Sequence, residues 1–204
     1  MNGSDIRLCT AFDGNRNIAS GSLLQVSTKV KGMIDNDEVG SVLIFEDSSS
    51  ELVEIDFRGE LEEVLKSVVK HAGTAASTII SVHNESGVQR APGRPKLGVI
   101  PREVTLLPRH WDWLNSQPGG ASVALRKLVE EARRLRSDID KVRYSKEVTY
   151  RFMHAMAGNF SGFEEATRAL FAGNSEKFNE IVALWPDDIG QHVYKLSGNA
   201  FAQI

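Results

Sequence analysis

The chain of 204 residues contains one cysteine, Cys9. That excludes an intramolecular disulfide and a thiolate set for structural zinc, and leaves Cys9 as a small apolar strand residue. No run of about 18 apolar residues occurs, so no membrane-spanning helix is expected. The segment Met1-Asn2-Gly3-Ser4-Asp5 lacks the basic-then-apolar order of a signal peptide, and the expected compartment is the cytoplasm. Gly-x-Ser-x-Gly, a Walker loop, a dinucleotide glycine fingerprint and His-Glu-x-x-His are all missing. An enzyme reading therefore has no local motif to rest on, although acid–base pairs drawn from distant segments leave no such trace. His154, beside Met153 and Met156, and the distant His192 lack the companions of a metal or heme site, and no metal or cofactor is expected.

What is present is an ordinary apolar content of 41%, enough for a real core, and an uneven charge. Residues 90–151 carry 14 Lys and Arg against 7 Asp and Glu, whereas 1–89 carry 7 against 14 and 152–204 carry 3 against 6. The formal net charge of −3 thus conceals one basic segment between two acidic ones. A clustered basic segment is the electrostatic footprint expected of nucleic-acid binding.

The pattern predicts an α+β fold with four parts. Residues 1–72 read as a small ββαββα unit: strands flank a turn at Asp13-Gly14, and Ser22 with Gln25 has capping-box spacing. Leu23, Val26, Val30 and Met33/Ile34 share a helical face. Val42 to Phe45 reads as a buried strand, and Val53, Ile55 and Phe57 alternate with Glu54 and Asp56 as a half-wet one. That alternation accounts for Glu54 and Asp56 without a cation site, and Glu46 and Asp47 lack the spacing of a calcium loop. Leu61, Val64, Leu65, Val68 and Val69 predict the second helix. Residues 73–98 read as a linker with one short β-branched interlude, ending in Gly93-Arg94-Pro95-Lys96. That tetrapeptide has two readings: an extended arm that lays Arg94 and Lys96 into a DNA minor groove, or a solvated hinge.

Residues 99–137 read as strand, helix, helix. Arg102 to Leu107 is strand-like; Pro108 suits a first helical position; Pro118-Gly119-Gly120 breaks the helix; Ser122 is placed to cap the next. Leu125, Leu128, Val129, Ala132 and Leu135 form an apolar stripe opposite a mixed-charge face. So small a module cannot bury its stripe alone. Trp111 and Trp113 of the run His110-Trp111-Asp112-Trp113 read as core or interface anchors. Residues 138–204 read as a helical unit of three or four helices, with core stripes such as Val148/Phe152 and Phe178/Ile181/Val182/Trp185.

Val104-Thr105-Leu106-Leu107-Pro108, then Gly120-Ala121-Ser122-Val123 leading into Leu125 and Leu128, resembles the ribbon-helix-helix family of bacterial repressors. The resemblance implies a homodimer whose paired strands enter the major groove of double-stranded DNA, with Ser122 and the nearby amides holding a phosphate. Candidate DNA-binding residues are then Arg94, Lys96, Arg102, Thr105 and Ser122, and candidate interface residues are Val104, Leu106, Trp111, Leu125 and Leu128. The strand departs from the family's polar pattern. One register turns Arg102, Val104 and Leu106 outward, the other Glu103, Thr105 and Leu107, and either offers few base-reading groups.

The chain as a whole is also similar to a bacterial family of unknown function. The similarity runs through Gly93-Arg94-Pro95-Lys96-Leu97-Gly98, Arg102 to Leu114 and Gly119-Gly120-Ala121-Ser122. It implies a shared fold and bacterial origin, and no activity. The expected function is transcriptional regulation through DNA, the flanking units taking a ligand or a protein partner. The alternative is a dimerisation or protein-interaction module without nucleic acid.

Overall fold

The computed structural model describes residues 7–68 and 102–202; Val69 and the whole expected linker 73–98, with Arg94 and Lys96, lie outside them. The fold is α+β. Among the described residues, those up to 68 together with 139–202 make one compact unit, and 102–138 make a second.

The first unit begins with strands β1 (Leu8–Asp13) and β2 (Arg16–Ser22), joined through Gly14 and Asn15. Gly14 takes φ +56°, the left-handed conformation such a tight turn demands. Ser22 then caps α1 (Leu23–Asp35) by the reciprocal box its spacing predicts: its hydroxyl accepts from the Gln25 amide, and Gln25 Oε1 accepts from the Ser22 amide at 3.0 Å. Strand β3 (Val42–Glu46) returns antiparallel to β1, giving the order β2-β1-β3.

The expected fourth strand is not formed. Residues 53–57 keep their alternation, with Val53, Ile55 and Phe57 half-buried and Glu54 and Asp56 exposed. Among the described residues their ladder contacts are the Phe45–Leu52 bridge just before them and one bond from the Val53 amide to the Ile44 carbonyl at 2.8 Å. Alternation reports which side chains are covered; it does not require a hydrogen-bonded neighbour. Helix α2 opens at Leu61 and is described to residue 68, burying Val64 and Val68.

Central strand β1 is buried on both faces: Cys9, Thr10, Ala11 and Phe12 are each at most 1% exposed. Successive side chains point to opposite faces. Cys9, Ala11 and Ile44 pack with Leu23, Val26 and Val30 of α1 and with Val68. Phe12 and Phe45 face the other way, into a larger cluster built by the C-terminal helices. The small sheet is therefore a middle layer.

Those helices are the end of α4 (Gly120–Met156), then α5 (Phe163–Ala172), α6 (Ser175–Val182) and α7 (Asp187–Leu196), with a short 3-10 turn at Ser197–Asn199. Their ends follow the sequence signals. Gly173 closes α5 in the left-handed conformation, the Asn174 side chain accepts from the Lys177 amide at 3.0 Å, and Pro186 precedes Asp187 and Asp188 in the first turn of α7. Phe152 sits 5.4 Å from Phe12 and 5.0 Å from Phe45 by ring centroids. Polar ties reinforce the contact: Asn17 N–H to Asp188 Oδ2 at 2.8 Å, Lys195 Nζ to Asp47 Oδ2 at 2.6 Å, and Arg151 to the Ser49 carbonyl.

Phe152→Ala should cost roughly 3–5 kcal/mol, the usual range for deleting a buried ring. Because the ring joins both ends of the chain, hydrogen exchange should show β1 and α5 amides losing protection together. Loss in α5 with β1 untouched would contradict a shared core.

Candidate interaction surface on the central helices

In the second unit, residues 102–107 carry no regular secondary structure, where the sequence predicts a strand. A strand exists only against a partner, and this chain alone provides none for it among the described residues. Leu107 closes the stretch with β backbone angles and α3 (Pro108–Ser116) starts with Pro108 in its first turn, as Pro's fixed φ favours. The break after it depends on glycine: Gly119 has φ +89°, and a Cβ there would lie 3.1 Å from Val123 side-chain carbons.

One expectation is corrected here. Helix α4 opens at Gly120, so Ser122 lies inside its first turn and is not the cap. The helix runs without interruption to Met156, through the point after residue 138 where the two compact units divide. No proline or glycine interrupts Ala121 to Met156, so nothing in the backbone ends it.

The candidate DNA-binding residues that are described, Arg102, Thr105 and Ser122, are all exposed. Of the candidate interface residues, Val104 and Leu128 are exposed and Leu106, Trp111 and Leu125 half-buried. The neighbours are barer still: Trp113 is 52% exposed, Val129 63% and Leu135 70%. Leu114 and Ala124 are the buried hydrophobic residues of 102–138, and neither belongs to the two core clusters. Trp113, Pro118, Ala124 and Leu128 line a shallow depression of about 180 Å³. Large apolar side chains left in water are the usual mark of an interaction surface, which makes α3 and α4 the candidate here.

The chain belongs to a bacterial family. Its residues 8–197 match the model of DUF2239, described as an uncharacterized protein conserved in bacteria. No curated protein and no solved structure matches the chain. The match spans both the sheet-containing unit and the exposed central helices, so both lie within what the DUF2239 family model covers.

A second place in this family member invites a chemical reading, and its hydrogen bonds argue against one. A cleft of about 270 Å³ is lined by Asp47, Lys141, Tyr144, Ser145, Lys195 and Asn199. Asp47 accepts from Thr10 Oγ1 at 2.7 Å as well as from Lys195, and Ser145 Oγ donates to the Leu196 carbonyl at 2.7 Å. These groups join strands to helices and are occupied in doing so. No group of three or more potential metal ligands is found among the described residues, nor is any of their helices long and apolar enough to cross a membrane. Cys9 is fully buried, and burial raises its thiol to about 11, which keeps it protonated and unreactive.

Next to this cleft, His192 is 4% exposed with its ring 4.5 Å from Phe152 and 5.3 Å from Phe12. Burial lowers its pKa to about 4, against a smaller upward pull from Asp47 and a downward push from Lys195. Between about 4 and the ordinary 6.5 the unfolded chain binds the proton and the folded one does not, so stability falls as pH falls. The stabilisation is fully present above 6.5 and lost toward 4. Relative to His192→Leu, the native protein should lose on the order of 3 kcal/mol between pH 7 and 4, read from urea denaturation at each pH. A pH-independent difference would place the imidazole in water.

Proposed function

We propose that this protein is a dimeric DNA-binding regulator whose residues 102–138 associate with a second copy and present the basic segment to duplex DNA. The observation that carries the reading is the exposed apolar stripe of α4, which belongs to neither core and sits in the one basic stretch of an acidic chain. Pairing two copies covers the stripe and doubles the positive charge at one place. Phosphate contacts then supply affinity through counterion release. Arg102 and Thr105, both exposed, stand ahead of α3 as the groups able to reach a groove, with Arg94 and Lys96 as the arm and Ser122 at the start of α4.

A second reading is favoured by a specific feature: Val104 and Leu107 in the same stretch are 51% and 49% exposed. Aliphatic groups at those positions suit a protein surface better than a polar groove edge, and a dimeric protein-interaction module without nucleic acid accounts for them.

Fluorescence anisotropy with labelled random-sequence duplex, taken through a salt series, separates the two. DNA binding should weaken with a log–log slope of about −0.9 per phosphate neutralised. Replacing both Arg94 and Lys96 by Ala removes four cations from the dimer and should make that slope shallower by about 3.6 units. No binding at low salt by a protein that is still dimeric would remove the DNA reading and leave the interaction module.

A further inference from the structure

The exposed stripe has a finer order than amphipathicity. Leu125, Leu128, Ala132 and Leu135 follow one another at spacings of three, four and three, and the same alternation continues through Ile139 to Val142. This is a repeat of 3.5 residues, the period of a two-stranded supercoil, and its exposed members Leu128, Leu135 and Ile139 belong to neither core cluster. Leu125, Ala132 and Ile139 take the a positions, and Leu128, Leu135 and Val142 the d positions. Val129, at e, widens the apolar band on one side. The outward b, c and f positions hold Arg126, Lys127, Glu130, Arg133 and Arg134, all exposed, and Arg133 pairs with Glu130 at 3.4 Å on that outer side.

The flanking charges specify the partner. Position g holds Glu131 and the next e position holds Arg136; one heptad later Asp138 and Arg143 repeat the signs. Neither Glu131 nor Arg136 has an ion pair among the described residues. In a parallel pair of identical helices g meets the following e of the other chain, so Glu131 meets Arg136 twice, once on each side of the seam. In an antiparallel pair g meets g and e meets e, setting Glu131 against Glu131 and Arg136 against Arg136. We infer that the N-terminal half of α4 forms a parallel two-stranded coiled coil with a second copy of this chain. The inference rests on the dimeric reading above and adds to it the seam, the occupant and the direction.

The full chain should be dimeric by sedimentation equilibrium at micromolar concentration. Glu131→Arg and Arg136→Glu each turn two attractive cross-chain pairs into repulsive ones, and each should raise the dimer dissociation constant about tenfold. Mixing the two variants restores opposite charges and should recover affinity in a mixed dimer. Both positions are exposed, so the folded monomer tolerates the changes. Direction is read by Leu135→Cys: at a d position of a parallel pair the two sulfurs face each other across the axis, and mild oxidation should give a reducible covalent dimer. The native protein serves as control, since its one thiol is buried. A monomer at all concentrations overturns both this inference and the dimeric reading. A dimer that neither charge variant weakens, or that Leu135→Cys does not cross-link, overturns the coiled coil alone. Dimerisation as described without DNA binding removes the regulator function and leaves the seam standing.

Discussion

The ring cluster of Phe12, Phe45, Phe152 and His192 is the contact on which the first unit depends. A sheet of three short strands reaches independent stability only by packing an apolar face against other elements. Here its central strand is covered from both sides, and the second cover comes from residues more than a hundred positions away in the chain. Aromatic rings fit this junction because they bury large areas and meet edge-to-face without a fixed register; Phe12 and Phe45 lie 6.3 Å apart at 73°, and Phe45 and Phe152 5.0 Å apart at 73°. The imidazole of His192 in the same cluster is held neutral by its surroundings, which makes that junction sensitive to acid.

Around that junction the polar ties are placed where the backbone turns. Asp47 begins the turn after β3 and receives both Thr10 from the sheet and Lys195 from α7. Ser50, in the left-handed region at φ +54°, closes the turn, its amide donating to the Glu46 carbonyl at 2.8 Å. The cleft beside these residues is thus a product of how strands meet helices. Its carboxylate and its serine hydroxyl already have partners inside the fold, and that is why the central helices, not the cleft, carry the functional reading.

Much of the local structure was legible in the sequence because its signals are local. The Ser22–Gln25 box, the Asp13-Gly14 turn, Pro108 at the start of α3, Gly173-Asn174 between α5 and α6, and Pro186 before α7 each act over four residues or fewer, and each is where its pattern places it. What was not legible depended on distant segments. Alternation at 53–57 looks the same whether a strand is paired or merely half-covered. Nothing in the spacing of Phe152 says that it meets Phe12. The continuity of α4 through 137 follows from the absence of any helix breaker after Gly120, and the division between the two units after 138 falls inside that helix. The 3.5-residue repeat is present in the sequence as well, but a stripe of four or five residues fits a 3.6-residue face nearly as well, and the exposure of Val129 and Leu135 is what separates the two.

That exposure is also a constraint on how the protein exists in solution. Fully burying a leucine is worth roughly 1.5–3 kcal/mol, and association costs roughly 4–15 kcal/mol in lost freedom. One stripe docking on an unrelated flat surface counts each of its large residues once. A two-fold seam counts each of them twice, since residue and partner are the same position on two chains. Four or five large apolar positions therefore reach the scale of the association cost most economically against their own copy. In the proposed dimer the same symmetry would set the two basic segments side by side, and that gathering of charge would be the step from a dimer seam to a surface able to hold a polyanion.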